Sequence, residues 1–251
     1  MNSPYLSVII PAHNEEHRLP QTLESLFNYL DAQPYCSEVW VVENGSQDQT
    51  FALAQELAQQ YERLYVLHEE QAGKGLAVQR GMLAARGEFR LMCDADLSMP
   101  PQEIERFLPP QLSGADIAIA SREAPGAKRY NEPHLRHWIG RVFNLLIRLL
   151  LLPQFHDTQC GFKCFTAAAA ERLFPLQTIK GWTFDVEILY LATRLGMRIV
   201  EVPIQWYFNP ESKVHVGRDS LRMALDLLYI RAHWRHIPQW EAKQGKLPGQ
   251  T

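Results

Sequence analysis

Asp94 and Asp96 stand two residues apart where the apolar run Leu91-Met92-Cys93 ends. In an extended chain, side chains at i and i+2 leave the same face, so the two carboxylates share one patch of space. Carboxylates that close repel, and a hard divalent cation with oxygen ligands relieves the repulsion; Mg²⁺ and Mn²⁺ both suit such donors. The alternative is a helix N-cap ahead of Pro100-Pro101, because aspartates in turns commonly cap helices.

Two further groups hold residues of the same kind. Pro11-Ala12-His13-Asn14-Glu15-Glu16 closes one apolar run, and Val41-Val42-Glu43-Asn44-Gly45-Ser46-Gln47-Asp48 closes another. Carboxylates on adjacent strand ends form a pocket rim, and one of them can accept the imide hydrogen of uracil or the edge hydrogens of guanine. The same residues also make plain loops, with Asn14 or Asn44 and Gly45 as turn formers and Ser46 as a helix cap. Gly73-Lys74-Gly75 precedes a helical pattern and offers backbone amides with a cation, which suits a diphosphate. It matches neither a full phosphate loop nor a dinucleotide fingerprint, which disfavours those nucleotide classes.

Positioning these groups requires a sheet. Short β-branched runs at 6–10, 39–42, 64–67 and 88–93 alternate with helical patterns at about 16–30, 48–60 and 76–85. Such alternation predicts βαβ units and a mostly parallel, Rossmann-like α/β sheet flanked by helices, whose ligands bind at the carboxyl ends of the strands. A strand at 116–121 precedes a Pro-, Gly- and Asn-containing loop at 124–134, then a helix at 135–152, a strand at 161–165, helices at 166–173 and 184–195, a strand at 198–204 and an amphipathic helix at 219–233. The expected organisation is one domain over 1–238, with a nucleotide half at 1–122 and an acceptor half at 123–238, and a polar tail at 239–251.

The composition excludes several classes. At 251 residues and 46% hydrophobic, the chain buries a sizeable core, and a net charge of −3 without a Lys/Arg block gives no attraction to nucleic acid. Cys36, Cys93, Cys160 and Cys164 lack zinc-site spacing and are expected as reduced, buried thiols. The first residues lack the charged start and long apolar core of a signal peptide. The longest apolar stretch, 138–152, is interrupted by Arg141, Asn144 and Arg148 and is too short to span a bilayer. A cytoplasmic protein is expected. Helices 135–152 and 221–235, the latter flanked by Arg218, Arg222, Arg231 and Arg235, suit either core packing or burial in a membrane interface.

Taken in order, these pieces resemble glycosyltransferase family 2, and within it the dolichyl-phosphate glucosyltransferase and dolichol-phosphate mannose synthase branches. The likeness spans about 6–236 and is carried by Pro11 to Glu16, Gly45-Ser46-Gln47-Asp48-Gln49-Thr50, Asp94-Ala95-Asp96, Asp157-Thr158-Gln159-Cys160-Gly161-Phe162-Lys163 and Trp182-Thr183-Phe184-Asp185-Val186-Glu187. The last two motifs sit closest to the glucosyltransferase branch. The resemblance implies a GT-A fold and inverting, metal-dependent transfer of a hexose from a nucleotide sugar to a polyprenyl phosphate. UDP-glucose is the expected donor; GDP-mannose, or a soluble acceptor, is the alternative. A non-catalytic protein that only binds a nucleotide sugar is disfavoured by the paired Asp94 and Asp96, whose mutual repulsion serves no binding role without a metal.

The resemblance also implies site roles. Pro11, Ala12, Asn14, Glu15, Glu43 and Asn44 would hold the nucleoside and Lys74 the diphosphate, while Asp94 and Asp96 would hold ribose and metal, Asp96 foremost for the metal. Where the family usually has two aspartates this chain has Glu43-Asn44, which alters base recognition. Asp157, Asp185 and Glu187 are the candidates for a base toward an alcohol, with Asp157 and Asp185 counted as catalytic and Glu187 at the acceptor. Arg122 and Arg136 would meet the acceptor phosphate, an arginine fork being suited to it. Because the related branches commonly carry a membrane anchor, the expectation is peripheral contact with the inner face of the membrane through surface helices.

Overall fold

The computed structural model describes residues 3–96, 98–209 and 216–237, with the side chains of 134–136, 139 and 216–220 outside the description. Strands β1 (Leu6–Ala12), β2 (Ser37–Asn44), β3 (Leu64–Glu69) and β4 (Phe89–Cys93) pair in parallel in the order β3-β2-β1-β4. Their crossovers are α1 (Leu19–Asp31), α2 (Thr50–Gln60) and α3 (Lys74–Ala84). Alternation along β1 sorts the two faces: Val8 and Ile10 join Leu23, Leu26 and Leu30 of α1, and Ile9 joins Ala77, Val78 and Met82 of α3. A Cβ at Gly81 of α3 would fall 2.4 Å from Ile9 Cγ2, so glycine is what lets this helix lie so close to the sheet.

Past β4 the sheet continues with β7 (Phe162–Thr166), β5 (Ile117–Ser121) and β8 (Ile199–Pro203), completing seven strands in the order β3-β2-β1-β4-β7-β5-β8. Only β7 among them runs antiparallel to its neighbours, with Cys93 opposite Phe162 and Ile119 opposite Lys163. The helices of this half are α4 (His134–Leu150), α5 (Ala167–Leu173), α6 (Phe184–Arg194) and α7 (Val216–Trp234).

Several expectations shift. Helix α1 starts at Leu19 rather than near residue 16, with Pro20 in its first turn, and α3 starts at Lys74 itself. The strand expected at 198–204 stops at Pro203, where the missing proline N–H weakens pairing, and the chain goes on as β9 (Gln205–Tyr207). Strand β9 pairs in parallel with β6 (Lys128–Tyr130), which lies in the segment expected to be loop; the rings of Tyr130 and Tyr207 stack at 4.6 Å. Cys93, Cys160 and Cys164 are buried as expected, but Cys36 is exposed, because it lies outside β2 in the turn that precedes it. The tail expected at 239–251 lies outside the described residues.

Helices α4 and α7 pack on each other, and Arg231 of α7 donates to the Leu150 carbonyl at 2.8 Å. Their inner sides bury Ile147, Leu227 and Ile230. Their outer sides expose Trp138, Val142, Leu145 and Leu149 on α4 and Leu221, Leu225 and Leu228 on α7, each set at helical spacing. Among the described residues, no helix is long and apolar enough to cross a membrane.

At the other end of the sheet, Glu38 is a buried carboxylate near the start of β2. It accepts from Ser7 Oγ and the Arg86 amide at 2.7 Å each and from the Arg86 guanidinium at 2.7 and 3.0 Å. Burial alone would raise its pKa, but the donated hydrogen bonds from Arg86 and Ser7 outweigh burial and hold the carboxyl below its usual range. A depressed carboxylate stabilises the fold fully above its unfolded pKa of about 4.3, and this contribution is lost as pH falls through the folded value. Glu38→Ala should therefore lower the unfolding free energy by about 2–3 kcal/mol at neutral pH, through donors left unpaired. In urea unfolding, the gap from the parent protein should shrink as the pH drops from about 5 toward 3.

Candidate active site

The carboxyl ends of β1, β2 and β4 open on a cleft of about 1310 Å³, the place where open parallel sheets bind ligands. Pro11, Asn14 and Glu15 line it from the β1 turn, and Asn44 lines it from β2. The two turns are clasped together. Asn14 N–H donates to Ser46 Oγ at 3.0 Å, Gln47 N–H to Asn14 Oδ1 at 2.8 Å and Glu15 N–H to Thr50 Oγ1 at 2.7 Å. Asn14 takes φ +53°, a left-handed conformation that asparagine tolerates. Oriented to satisfy both its side-chain atoms, the Asn44 amide donates to the Ala12 carbonyl at 3.0 Å and accepts from Gly73 N–H at 2.8 Å. Asn44 thus fixes the start of α3 against β1.

Two residues expected at the nucleoside lie beneath the rim instead. Ala12 is part of the core. Glu43 is 1% exposed; its Oε1 accepts from Ser46 N–H at 2.7 Å, and its Oε2 lies 2.5 Å from His68 Nδ1. With both oxygens engaged, Glu43 shapes the β2 turn and does not present a carboxylate to a base. The alternation of β2 turns its side chain inward, which the motif alone does not reveal.

At the centre, Lys74, the first residue of α3, places Nζ 2.6 Å from Asp94 Oδ1. Burial would lower the lysine pKa, but the carboxylates of Asp94 and Asp185 outweigh it and keep the ammonium charged. Gly161 lies directly against Asp94: a Cβ built on it would fall 1.7 Å from Oδ2. Asp96 also faces the cleft, and its Oδ1 accepts from Ser98 N–H at 2.9 Å. Neither aspartate caps the 3-10 turn Pro101–Phe107, whose cap position, Pro100, makes no side-chain hydrogen bond. The cap alternative therefore does not hold. Among the described residues, no group of three or more His, Cys, Asp or Glu gathers as a metal cage. A pair of carboxylates fits an ion that takes its other oxygens from a bound diphosphate and water.

Behind Lys74, Lys163 of β7 reaches 2.8 Å from Asp185 Oδ1 and donates to the Cys160 carbonyl at 2.6 Å, with both ionic side chains almost fully buried. Burial pushes the Asp185 carboxyl up, against the pull of Lys163 and Lys74. Lys163 carries no role in the sequence reading. The signal for it was a lysine in the apolar strand Phe162-Lys163-Cys164-Phe165, a buried charge that requires a partner. Burial also pushes the thiols of Cys160 and Cys164 up to about 12, so both are inert packing at neutral pH.

Farther along, the Arg122 guanidinium grips Asp157 with two bonds, at 2.7 and 3.0 Å, and its backbone N–H adds a third at 3.0 Å. Burial would raise the Asp157 carboxyl, but Arg122 prevails and holds it at about 2. Two expectations change together: Asp157 is a counter-charge with no basicity to offer, and the Arg122 fork is already closed on it. Trp206 stacks below two guanidinium groups, Arg122 at 5.4 Å and Arg129 at 5.8 Å from the ring centre. No motif pointed to Trp206 or Arg129, because β6 and β9 are too short to show a period.

Glu187 is likewise engaged, and it does not line the cleft. Its carboxylate accepts from the amides of Thr178 and Ile179 and, at 2.8 Å, from Trp234 Nε1. It fastens α6 to the 178–179 segment and to α7, and so does not reach an acceptor. Arg136 lies in the first turn of α4, and its side chain is outside the described residues. The cleft ends between Phe143 and Asn144 of α4 and Met223, Asp226 and Tyr229 of α7, with Asp226 accepting from Thr183 Oγ1 at 2.8 Å.

Comparison with known proteins gives this geometry a context. The glycosyl transferase family 2 model matches residues 7–174. The dolichyl-phosphate beta-glucosyltransferase ALG5A of Trichomonas vaginalis is 35% identical, over 96% of this chain and 77% of its own. The dolichyl-phosphate beta-glucosyltransferase of Mus musculus is 35% identical, over 95% and 78%. Among solved structures, glucosyl-3-phosphoglycerate synthase from Mycobacterium tuberculosis, in complex with Mn²⁺, UDP-glucose and phosphoglyceric acid, superposes with a TM-score of 0.65 at 20% identity, covering 90% of this chain and 79% of that one. That likeness identifies the seven-stranded sheet as a GT-A fold. With that family model over most of its length and relatives at 35% identity, the chain belongs to glycosyl transferase family 2.

Proposed function

We propose that the protein moves glucose from UDP-glucose to a polyprenyl phosphate, inverting the anomeric carbon in one displacement. The observation that carries this reading is a single cleft that runs from the β1 and β2 turns, past Lys74 and Asp94, to the side chains of α4 and α7. One end suits a nucleotide and the other an apolar tail. The names of the relatives pair glucose with dolichyl phosphate, and UDP-glucose is the donor in the solved fold neighbour.

In this reading Pro11, Asn14, Glu15 and Asn44 hold the nucleoside, with Ala12 and Glu43 shaping the turns from below. Lys74 and the first amides of α3 receive the diphosphate. Asp94 and Asp96 would hold Mg²⁺ or Mn²⁺, which offsets charge on the leaving diphosphate. Asp157, Asp185 and Glu187 are all committed to internal partners, which argues for an acceptor that needs no base. A phosphate monoester, with its second pKa near about 6, is already a dianion at neutral pH. Arg136, by its place in the family pattern, meets that phosphate.

In this reading the exposed apolar stripes of α4 and α7 lie against a membrane, with the exposed arginines 141 and 222 beside them to meet anionic headgroups. Such an arrangement brings the far end of the cleft to the lipid surface. The polyprenyl chain then need not leave the bilayer entirely.

The direct test is product analysis with UDP-glucose and GDP-mannose, each offered to a short polyprenyl phosphate in detergent and to soluble phosphorylated acceptors. Glucosyl polyprenyl phosphate should form fastest, and transfer only to soluble acceptors would overturn the reading. Asp96→Asn should cut turnover by about 10²–10³-fold without unfolding the chain, since it removes a charge that would ligate the metal. Gly161→Ala should approach the same loss by displacing the Asp94 carboxylate; normal turnover in both variants would remove the acidic turn from the chemistry. Trp138 is 64% exposed and Leu149 is 71% exposed, so Trp138→Glu and Leu149→Glu leave the core intact. Each should weaken flotation with anionic liposomes by about tenfold or more, the effect of withholding one large side chain from apolar surroundings.

A further inference from the structure

The Asp94 carboxylate is enclosed from two directions. Its Oδ2 lies against the Gly161 backbone, where a Cβ would fall 1.7 Å from it. Oδ1 faces Lys74 Nζ at 2.6 Å. The ammonium is itself braced, 5.6 Å from the Trp182 ring centre, and its side chain is 16% exposed. A hard cation that enters from the cleft and binds Asp94 shares that carboxylate with the ammonium. Two cations on one carboxylate repel each other.

We propose that Lys74 competes with the divalent ion for Asp94, so that metal and nucleotide diphosphate bind together and each alone binds weakly. This inference rests on the donor reading above and deepens it. A diphosphate at the start of α3 supplies Lys74 with a new anionic partner next to the helix amides. The lysine can turn on its flexible stem while the backbone stays in place, because Gly73 and Gly75 lie so close to the Lys180 and Ile179 carbonyls that a Cβ would fall 2.6 and 2.7 Å from them. Asp185 does not replace Asp94 as the lysine's partner, since Lys163 already neutralises it at 2.8 Å. Once Lys74 moves to the diphosphate, Asp94 is free for the ion. By linkage, the metal strengthens nucleotide binding by the same factor.

The experiment is Mn²⁺ titration followed by electron paramagnetic resonance, with and without UDP, on the parent protein and on Lys74→Met and Lys74→Arg. Lys74→Met keeps the length of the stem and removes the competing charge. It should bind Mn²⁺ alone about tenfold more tightly than the parent, and UDP should enhance that affinity several-fold less. Lys74→Arg should behave like the parent. Circular dichroism confirms that the variants fold, and the parent protein provides an independent arm: UDP must raise its Mn²⁺ affinity by about tenfold or more. Equal or weaker Mn²⁺ affinity in Lys74→Met, including undetectable binding in both proteins, overturns the competition while leaving the donor reading standing if the parent binds Mn²⁺ with UDP. A parent protein that binds no Mn²⁺ even with UDP overturns both.

Discussion

The site depends on the direction of one strand. Strand β7 lies between β4 and β5 and runs against both, so its first residues meet the last residues of β4, with Phe162 opposite Cys93. A parallel strand in that position would deliver the 157–161 turn to the opposite edge of the sheet. Antiparallel pairing instead presses Gly161 onto Asp94 and brings Asp157 to Arg122, just past the end of β5. The same strand fixes Lys163. Its neighbours Phe162 and Cys164 point into the α1 face of the core, so Lys163 emerges on the α6 face, beside Asp185.

Charges gathered this way must satisfy one another, since an ion buried without a partner costs several kcal/mol, roughly the stability margin of a domain. Ion pairs recur along the cleft: Lys74 with Asp94, Lys163 with Asp185, Arg122 with Asp157, and Arg129 with Glu123 and Glu132. Among these, the Lys74–Asp94 pair is the most open, with the Asp94 side chain 34% exposed, whereas Asp157 and Asp185 are closed off. Partner exchange is therefore easiest at Lys74. Elsewhere, breaking a pair would strand a charge in a poorly solvated position.

The parallel half was legible because its signals are long. Strand and helix periods extend over 6–93, and the acidic turn comes where an apolar strand stops. The site was legible as to which turns take part, and less so as to what each side chain does. Glu43 and Glu187 have the right chemistry in the right motifs but face inward, where amides, a histidine and an indole engage both oxygens of each. Arg122 was read as a phosphate fork because its partner lies 35 residues away, a separation that local spacing cannot reveal. The small β6–β9 sheet was invisible for a different reason. Strands of three residues carry no period, and their pairing brings together segments on either side of the α4 to β8 region.

Helix α7 and the start of α3 are joined through α6 and the 178–180 segment. Trp234 and Asp226 of α7 are tied to Glu187 and Thr183, the former at 2.8 Å through the indole N–H and the latter at 2.8 Å through the threonine hydroxyl. Glu187 in turn holds the amides of Thr178 and Ile179, and the carbonyls of Ile179 and Lys180 abut Gly75 and Gly73. Between α7 and the start of α3 there is thus a short chain of hydrogen bonds and close backbone contacts, set beside the apolar cluster that holds Val78, Ile179, Leu227 and Ile230. The glycines are what keep this approach close: a side chain at Gly73 or Gly75 would meet the Lys180 or Ile179 carbonyl and shift the 179–180 backbone or the start of α3. These contacts join α7 to the residues on either side of Lys74, so the packing of the outer helix and the position of the ammonium belong to one close-packed region.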